Sequence, residues 1–223
     1  PLKSLSCTES RGPFPDQGGP MAVLTALGNS RMGKKKNLIE TAVRLFAEQG
    51  YDGTTTLQIS REAGVTEPLI YYHFKGKEEL FTHILNDAFD EYMTRLESLP
   101  AETADEFTQI ENLIAASQKA VAEMPRRIRL VMSSCPARIK DADHVCSNRM
   151  RGIFDWYKNY LAGCLERGIA SGEFVAVPVR ETVYVLISMI NGMIRQHSLM
   201  NGSRYENAKD VAVAFCRRSL RKQ

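Results

Sequence analysis

The stretch Thr54-Thr55-Thr56-Leu57-Gln58-Ile59-Ser60-Arg61-Glu62-Ala63-Gly64-Val65-Thr66-Glu67-Pro68-Leu69-Ile70-Tyr71-Tyr72-His73-Phe74-Lys75-Gly76-Lys77-Glu78-Glu79-Leu80 holds two short helices and the start of a long one. Thr55 and Gln58 are spaced as a capping box, and Ile59 and Ala63 give the helix behind them an inward face until Gly64 stops it. Thr66 is placed to cap the next helix. Glu67 in its first turn favours the positive end of the helix dipole, and Pro68 is harmless where no intrahelical donor is needed. That helix runs to about His73. Lys75-Gly76-Lys77 break it, and Glu78 and Glu79 open a helix whose apolar positions continue through Leu96 until Pro100.

Working outward, the residues from Lys34 to Gln49 place Leu38, Ile39, Ala42, Leu45 and Phe46 at helical spacing, with Gly50 supplying the left-handed stop. Three helices of this kind, the last two joined by a tight glycine turn, read DNA when the final one can enter a major groove. Ile59, Ala63, Val65, Ile70 and Phe74 are expected to form the small core that sets the helix angle. Glu67, Pro68, Leu69 and Tyr71 then lie where side chains reach base edges: Glu67 could accept from a cytosine amino group, Pro68 and Leu69 could touch thymine methyls. Tyr71, Tyr72 and His73 are three consecutive polar-tipped rings, which cannot all face inward on one helix. Thr55 and Thr66 stand where helix N-termini offer backbone amides to phosphate oxygens. Lys34, Lys35 and Lys36 could steer the leading arm towards DNA, with a solvated basic face as the alternative.

The same residues resemble the signature of the TetR (tetracycline-repressor) family. The resemblance runs over Lys34 to Leu80, with the Gly50-Tyr51 helix end, the Ala63-Gly64-Val65 turn and the Tyr-x-His-Phe sequence before Lys77. Leu57 and Ser60 depart from common choices in the second helix. The resemblance implies that Tyr71 and Lys77 touch backbone phosphates, with Tyr72 and His73 nearby. It implies an all-α chain: an N-terminal three-helix DNA-binding domain with a helix-turn-helix, then a larger helical effector-binding and dimerisation domain. The divisions expected are a disordered leader at 1–30, the DNA-binding domain at 31–78 and the effector and dimer domain at 79–223.

The rest of the chain agrees with that class. Hydrophobic residues at 43% and charged residues at 25% are the balance of a globular protein rather than a disordered or membrane one. No apolar run approaches the roughly 20 residues of a spanning helix. A net charge of +3 is too small to argue nucleic-acid binding by itself. The leader is rich in Gly and Pro and carries no helical period. Five cysteines at irregular spacing, with no CxxC pair, suggest neither a disulfide framework nor a zinc site and fit a reduced cytoplasm.

Beyond Pro100, helices are expected near Asp105–Glu123, Arg126–Ser133, His144–Ser171, Arg180–Met200 and Tyr205–Arg218, with residues 173–177 as a connector. In the helix from Arg180, Val183, Leu186, Ile187, Ile190, Met193 and Ile194 form a wide apolar stripe, and Val185 and Met189 extend it; a helix apolar over so much of its circumference needs two partners. Family resemblance makes one of them a second copy, through helices near 180–200 and 205–218. It also puts an effector cavity among the middle helices, where Phe107, Ile110, Met132, Phe154, Trp156, Tyr157, Tyr160 and Met193 are candidate walls, ordinary core packing being the alternative.

The expected function is that of a DNA-binding transcriptional regulator: a homodimeric repressor on palindromic double-stranded operator DNA, released by a small-molecule effector. An activator, or an effector-independent adaptor of the same fold, is the alternative. Catalysis is not expected, since no nucleophile, metal or Gly-rich phosphate pattern is present, and no cofactor or membrane partner is implied.

Overall fold

A computed structural model describes residues 20–100, 104–133, 140–199 and 207–222, with side chains described outside 20–31, 140–145 and 199. Its described residues form helices α1 (Pro20–Gln49), α2 (Thr56–Glu62), α3 (Glu67–His73), α4 (Lys77–Glu97), α5 (Glu106–Glu123), α6 (Pro125–Met132), α7 (Lys140–Ser171), α8 (Val179–Leu199) and α9 (Ala208–Leu220). The all-α expectation holds. The helices after Pro100 fall where the apolar periods put them, with ends displaced by a few residues.

α1 departs most. The leader was expected to carry no regular structure, yet α1 begins at Pro20 and absorbs residues 20–30; residues 1–19 lie outside the described set. Met21 to Leu27 are mostly good helix formers, and they extend a helix already nucleated further along, where each added residue needs only propagation.

One apolar cluster runs from Leu38 to Leu220 and joins the first and last of the described helices. α4 is its axis, packing on α1, α5, α6 and α7, while α5 and α7 both pack on α8. The chain closes on itself near α5. Phe174, in the α7–α8 connector, is 3% exposed and lies so close to Gly168 that a Cβ there would meet its ring at 2.2 Å, so only glycine fits. Phe174 bridges Arg221, with Val175 N–H donating to Leu220 O (2.8 Å) and Lys222 N–H to Glu173 O (3.1 Å). The Glu173 carboxylate accepts from Glu106 N (2.9 Å) and Phe107 N (3.0 Å), and Asp105 accepts from Thr108 N (2.7 Å), so the first amides of α5 are capped from two segments. The Thr108 hydroxyl, the Thr108 amide and the Arg221 guanidinium hold the Asp105 carboxyl below its ordinary range.

The cysteine expectation is corrected at one position. Cys164 and Cys216 are buried free thiols, both pushed up to about 11 chiefly by burial, but Cys146 is disulfide-bonded. Spacing along the chain does not report which thiols folding brings together. No cluster of metal-ligating side chains occurs among the described residues.

Candidate nucleic-acid interface

Two caps and one turn set the geometry of α2 and α3. Thr55 Oγ1 accepts from Gln58 N at 3.1 Å; the Gln58 amide itself donates to Glu62 Oε1 (3.1 Å), so the capping box is closed from one side only. Gly64 sits at φ 64°, the left-handed position that ends α2, and Val65 N–H reaches back to Ser60 O at 3.0 Å. Thr66 has the extended backbone of an N-cap, but its side chain makes no capping hydrogen bond. Ile59, Ala63, Ile70 and Phe74 are buried at 5% exposure or less, with Val65 half-buried against them: the expected small core.

The pair is tied down by polar clasps. Asn37 Nδ2 donates to Ala63 O (2.8 Å), fixing the end of α2 to α1, and Arg44 pairs with Glu62, whose carboxyl the guanidinium holds below its ordinary range. Thr56 Oγ1 donates to Glu67 Oε1 at 2.6 Å, joining the starts of α2 and α3. Lys77 Nζ donates to Tyr51 O and Thr54 O, both at 2.9 Å, and lies 4.1 Å from the centre of the Tyr51 ring. Tyr51 packs in turn on Phe46 and Phe81. Two residues expected to meet DNA are thus engaged inside the protein: the Glu67 carboxylate is occupied by α2, and Lys77 spends two of its three N–H donors on the α1–α2 turn.

The remaining candidates separate by exposure. Tyr71 (55%) and Tyr72 (68%) are exposed on the outer face of α3, alongside exposed Thr66 and Pro68. Leu69 and His73 are half-buried, the latter between the rings of Tyr72 (4.9 Å) and Phe74 (6.3 Å). Thr55 is exposed at the start of α2. Lys34 and Lys36 are exposed on α1, while Lys35 is half-buried with its ammonium 5.6 Å from the Phe74 ring centre. Leu57, 58% exposed on α2, is a further outward residue beside these.

The effector-pocket candidates lie in several different surroundings. Phe107 and Ile110 are fully buried, Phe107 beneath the guanidinium groups of Arg217 (4.6 Å) and Arg221 (5.4 Å). Tyr157 is buried in a hydroxyl cluster with Tyr92 (2.7 Å) and Ser117 (2.6 Å), and burial pushes it well above the ordinary tyrosine range. Trp156 stacks on Tyr160 at 4.9 Å, Phe154 is 42% exposed, and Met193 is half-buried against the core. A small apolar cavity of about 20 Å³, room for roughly one water, lies instead between α4, α6, α7 and α8. Its walls are Ala88, Phe89, Tyr92, Ile128, Val131, Met132, Met150, Ile153, Asn191 and Ile194, so of the eight candidates only Met132 reaches it. The usable signal was the spacing of Ile128, Val131 and Met132 on one face of a short helix.

Comparison with known proteins places these features. Residues 38–84, the end of α1 through the first turns of α4, match the family described as bacterial regulatory proteins, tetR family. The HTH-type transcriptional repressor KstR2 of Rhodococcus jostii is 23% identical over 150 residues, covering 66% of this chain and 70% of that protein. The fatty acid metabolism regulator protein of Bacillus subtilis is 25% identical over 174 residues, 78% of this chain and 87% of its own. Among solved structures, the ketosteroid transcriptional regulator KstR2 of Mycobacterium tuberculosis shares the fold with TM-score 0.67 at 20% identity, covering 83% of this chain and 94% of that one. The transcriptional regulator FadR of Bacillus subtilis, in complex with stearoyl-CoA, does so with TM-score 0.62 at 22% identity, over 81% and 96%. Residues 38–84 thus carry the helix-turn-helix region of the TetR family of bacterial regulatory proteins, tied here to a larger helical body, and the chain is a DNA-binding transcriptional regulator.

Proposed function

We propose that the chain works as a homodimeric repressor that occupies a near-palindromic operator and leaves it when a small apolar effector binds. The observation that carries this reading is the outer face of α3, where Thr66, Pro68, Tyr71 and Tyr72 stand exposed while Ile59, Ile70 and Phe74 behind them are sealed. Tyr71 and Tyr72 meet phosphates and set register, Pro68 and Leu69 meet base edges, and Lys34, Lys35 and Lys36 add salt-dependent attraction. Thr55, Thr66 and His73 line the same approach. Glu67 and Lys77 act first as clasps, with the Lys77 charge adding attraction for a nearby phosphate. Residues 31–78 form the reading domain and 79–223 the effector and dimer domain.

One short recognition helix makes too little contact for tight specific binding, so a second copy is required. Val183, Leu186, Ile187, Ile190 and Ile194, one apolar side of α8, are buried within the protomer. Tyr184 (66%) and Val185 (58%) on α8, with Val211 (64%) and Phe215 (58%) on α9, are exposed apolar residues, and they supply the face on which two copies meet. The effector carries an apolar part because the cavity walls are apolar, with Asn191 as a polar anchor; the FadR relative was solved in complex with stearoyl-CoA, whose acyl chain is apolar. No described helix is long and apolar enough to cross a membrane. The cytoplasm is the proposed location.

Selection of bound duplexes from a random DNA pool tests the reading directly. Enrichment of an inverted repeat with half-sites about one helical turn apart, or a multiple of that, is expected. A pool that emerges unenriched overturns it. Reporter expression from a promoter carrying the enriched site, rising when the gene is deleted, separates repression from activation.

A further inference from the structure

A ladder of alternating charges lies where the reading head meets the body. Arg127, on α6, donates from Nη2 to Glu40 Oε1 on α1 at 2.6 Å, and its Nη1 lies 3.9 Å from Glu91 Oε2 on α4. Glu91 also accepts from Arg95 at 2.9 Å, and Arg95 pairs with Glu123 on α5. Four helices are thereby linked through side chains that are only partly exposed, Arg127 at 23% the most sheltered. The ladder does not satisfy all its own donors. The Nε hydrogens of Arg127 and Arg95 are both buried without a partner, a cost that a fully optimised static lock would avoid.

The residues next to these charges are cavity walls. Ile128, Val131 and Met132 follow Arg127 on α6, and Ala88, Phe89 and Tyr92 bracket Glu91 on α4. The cavity, about 20 Å³, is far below the several hundred that a small-molecule ligand fills, so an occupant must part its walls. α6 is the wall most easily moved: it has eight residues, and its N-cap Met124 makes no side-chain hydrogen bond. Displacing α6 from α4 moves Arg127 relative to Glu91 and carries Glu40, hence α1 and the helix-turn-helix packed on it, along with it.

We propose that Arg127 is the positioning residue through which occupancy of the α4–α6–α7–α8 cavity reaches the DNA-reading helices, with Glu40 as its partner on the reading head. This rests on the proposed function, in which an effector in the body releases DNA. Coupling of this kind is a free energy shared between two sites, so it shows as non-additivity.

The test needs no identified effector, because a larger side chain can stand in for one. Ala88→Leu fills the cavity from α4. Its affinity for a duplex selected by the wild-type protein is measured by fluorescence anisotropy in the wild-type and Arg127→Met backgrounds, alongside melting curves and elution volumes for all four proteins. In the wild-type background filling lowers operator affinity at least about fivefold, the lower end of ordinary allosteric coupling. In the Arg127→Met background it changes affinity by less than about twofold, within the scatter of independent sites. Equal losses in the two backgrounds, or no loss in folded Ala88→Leu, overturn the inference. Should Ala88→Leu not melt cooperatively, Met132→Phe fills the same cavity from α6; should Arg127→Met not, Glu40→Gln breaks the junction from α1 at an exposed position. A wild-type protein that enriches no duplex refutes the proposed function and the junction with it, whereas additivity in proteins that bind DNA refutes the junction alone.

Discussion

The reading head and the larger body behind it are both helical and share one apolar cluster, yet they are organised differently. In the head, α2 and α3 are two turns each, and buried side chains alternate with outward neighbours. Ile70 is sealed while Tyr71 beside it is 55% exposed. In the proposed function, stability and recognition therefore reside on different residues of one short helix. In the body, the exposed apolar residues of α8 and α9 and the walls of the cavity are both built from apolar side chains, so core, cavity and proposed dimer face differ in location and not in chemistry. The lesson is that a binding surface for a polar, charged partner is marked by residue type, whereas one for an apolar partner is marked only by what the fold leaves uncovered.

That contrast can be broken experimentally. Ile70→Ala empties a fully buried site in the head and should cost about 2–5 kcal/mol in urea unfolding, with DNA binding lost only as folding is lost. Phe215→Glu, on the exposed α9 face, should weaken self-association by about 2 kcal/mol or more, read by sedimentation of diluted protein in the ultracentrifuge, while the protomer keeps its helical spectrum. If the variant stays dimeric, the apolar face serves something else. Tyr71→Ala should lower operator affinity roughly tenfold, about 1.4 kcal/mol, at an unchanged urea midpoint; a shift in stability as large as that of Ile70→Ala would erase the division of labour within α3.

The smallest effect belongs to the closure near α5. Asp105→Ala removes the cap on Thr108 N and should cost about 1 kcal/mol at neutral pH. Because the folded state holds the Asp105 carboxyl below its ordinary value, its contribution is present above the unfolded value near 3.8 and is lost as pH falls through the lower folded one. The wild-type protein should therefore lose part of its advantage over the variant below about pH 4, read from melting temperatures across an acid series.

Legibility followed the same contrast. The head could be read almost residue by residue: the Thr55 cap, the Gly64 stop, the buried set Ile59, Ala63, Ile70 and Phe74, and the outward Tyr71 and Tyr72. Each depends on backbone geometry or helical period within a few positions. Where the reading of the head fell short, long-range contacts intervened. Glu67 is taken by Thr56, and Lys77 by carbonyls of Tyr51 and Thr54, partners that no local pattern announces. In the body the helices fell near their periods, but of the eight candidate walls Met132 alone lines the cavity between α4, α6, α7 and α8, because aromatic and Met residues at helical spacing suit a core and a cavity alike.

Helix positions, the glycine stops and the inward face of each element were set by the amino-acid order, since caps, periods and left-handed turns act over one or two helical turns. Which faces meet, and therefore the walls around Met132, the Arg127 junction and the uncovered strip of α8 and α9, was decided only by packing. That choice depends on side chains far apart in the chain competing for the same buried volume, and a one-dimensional pattern carries no record of the outcome.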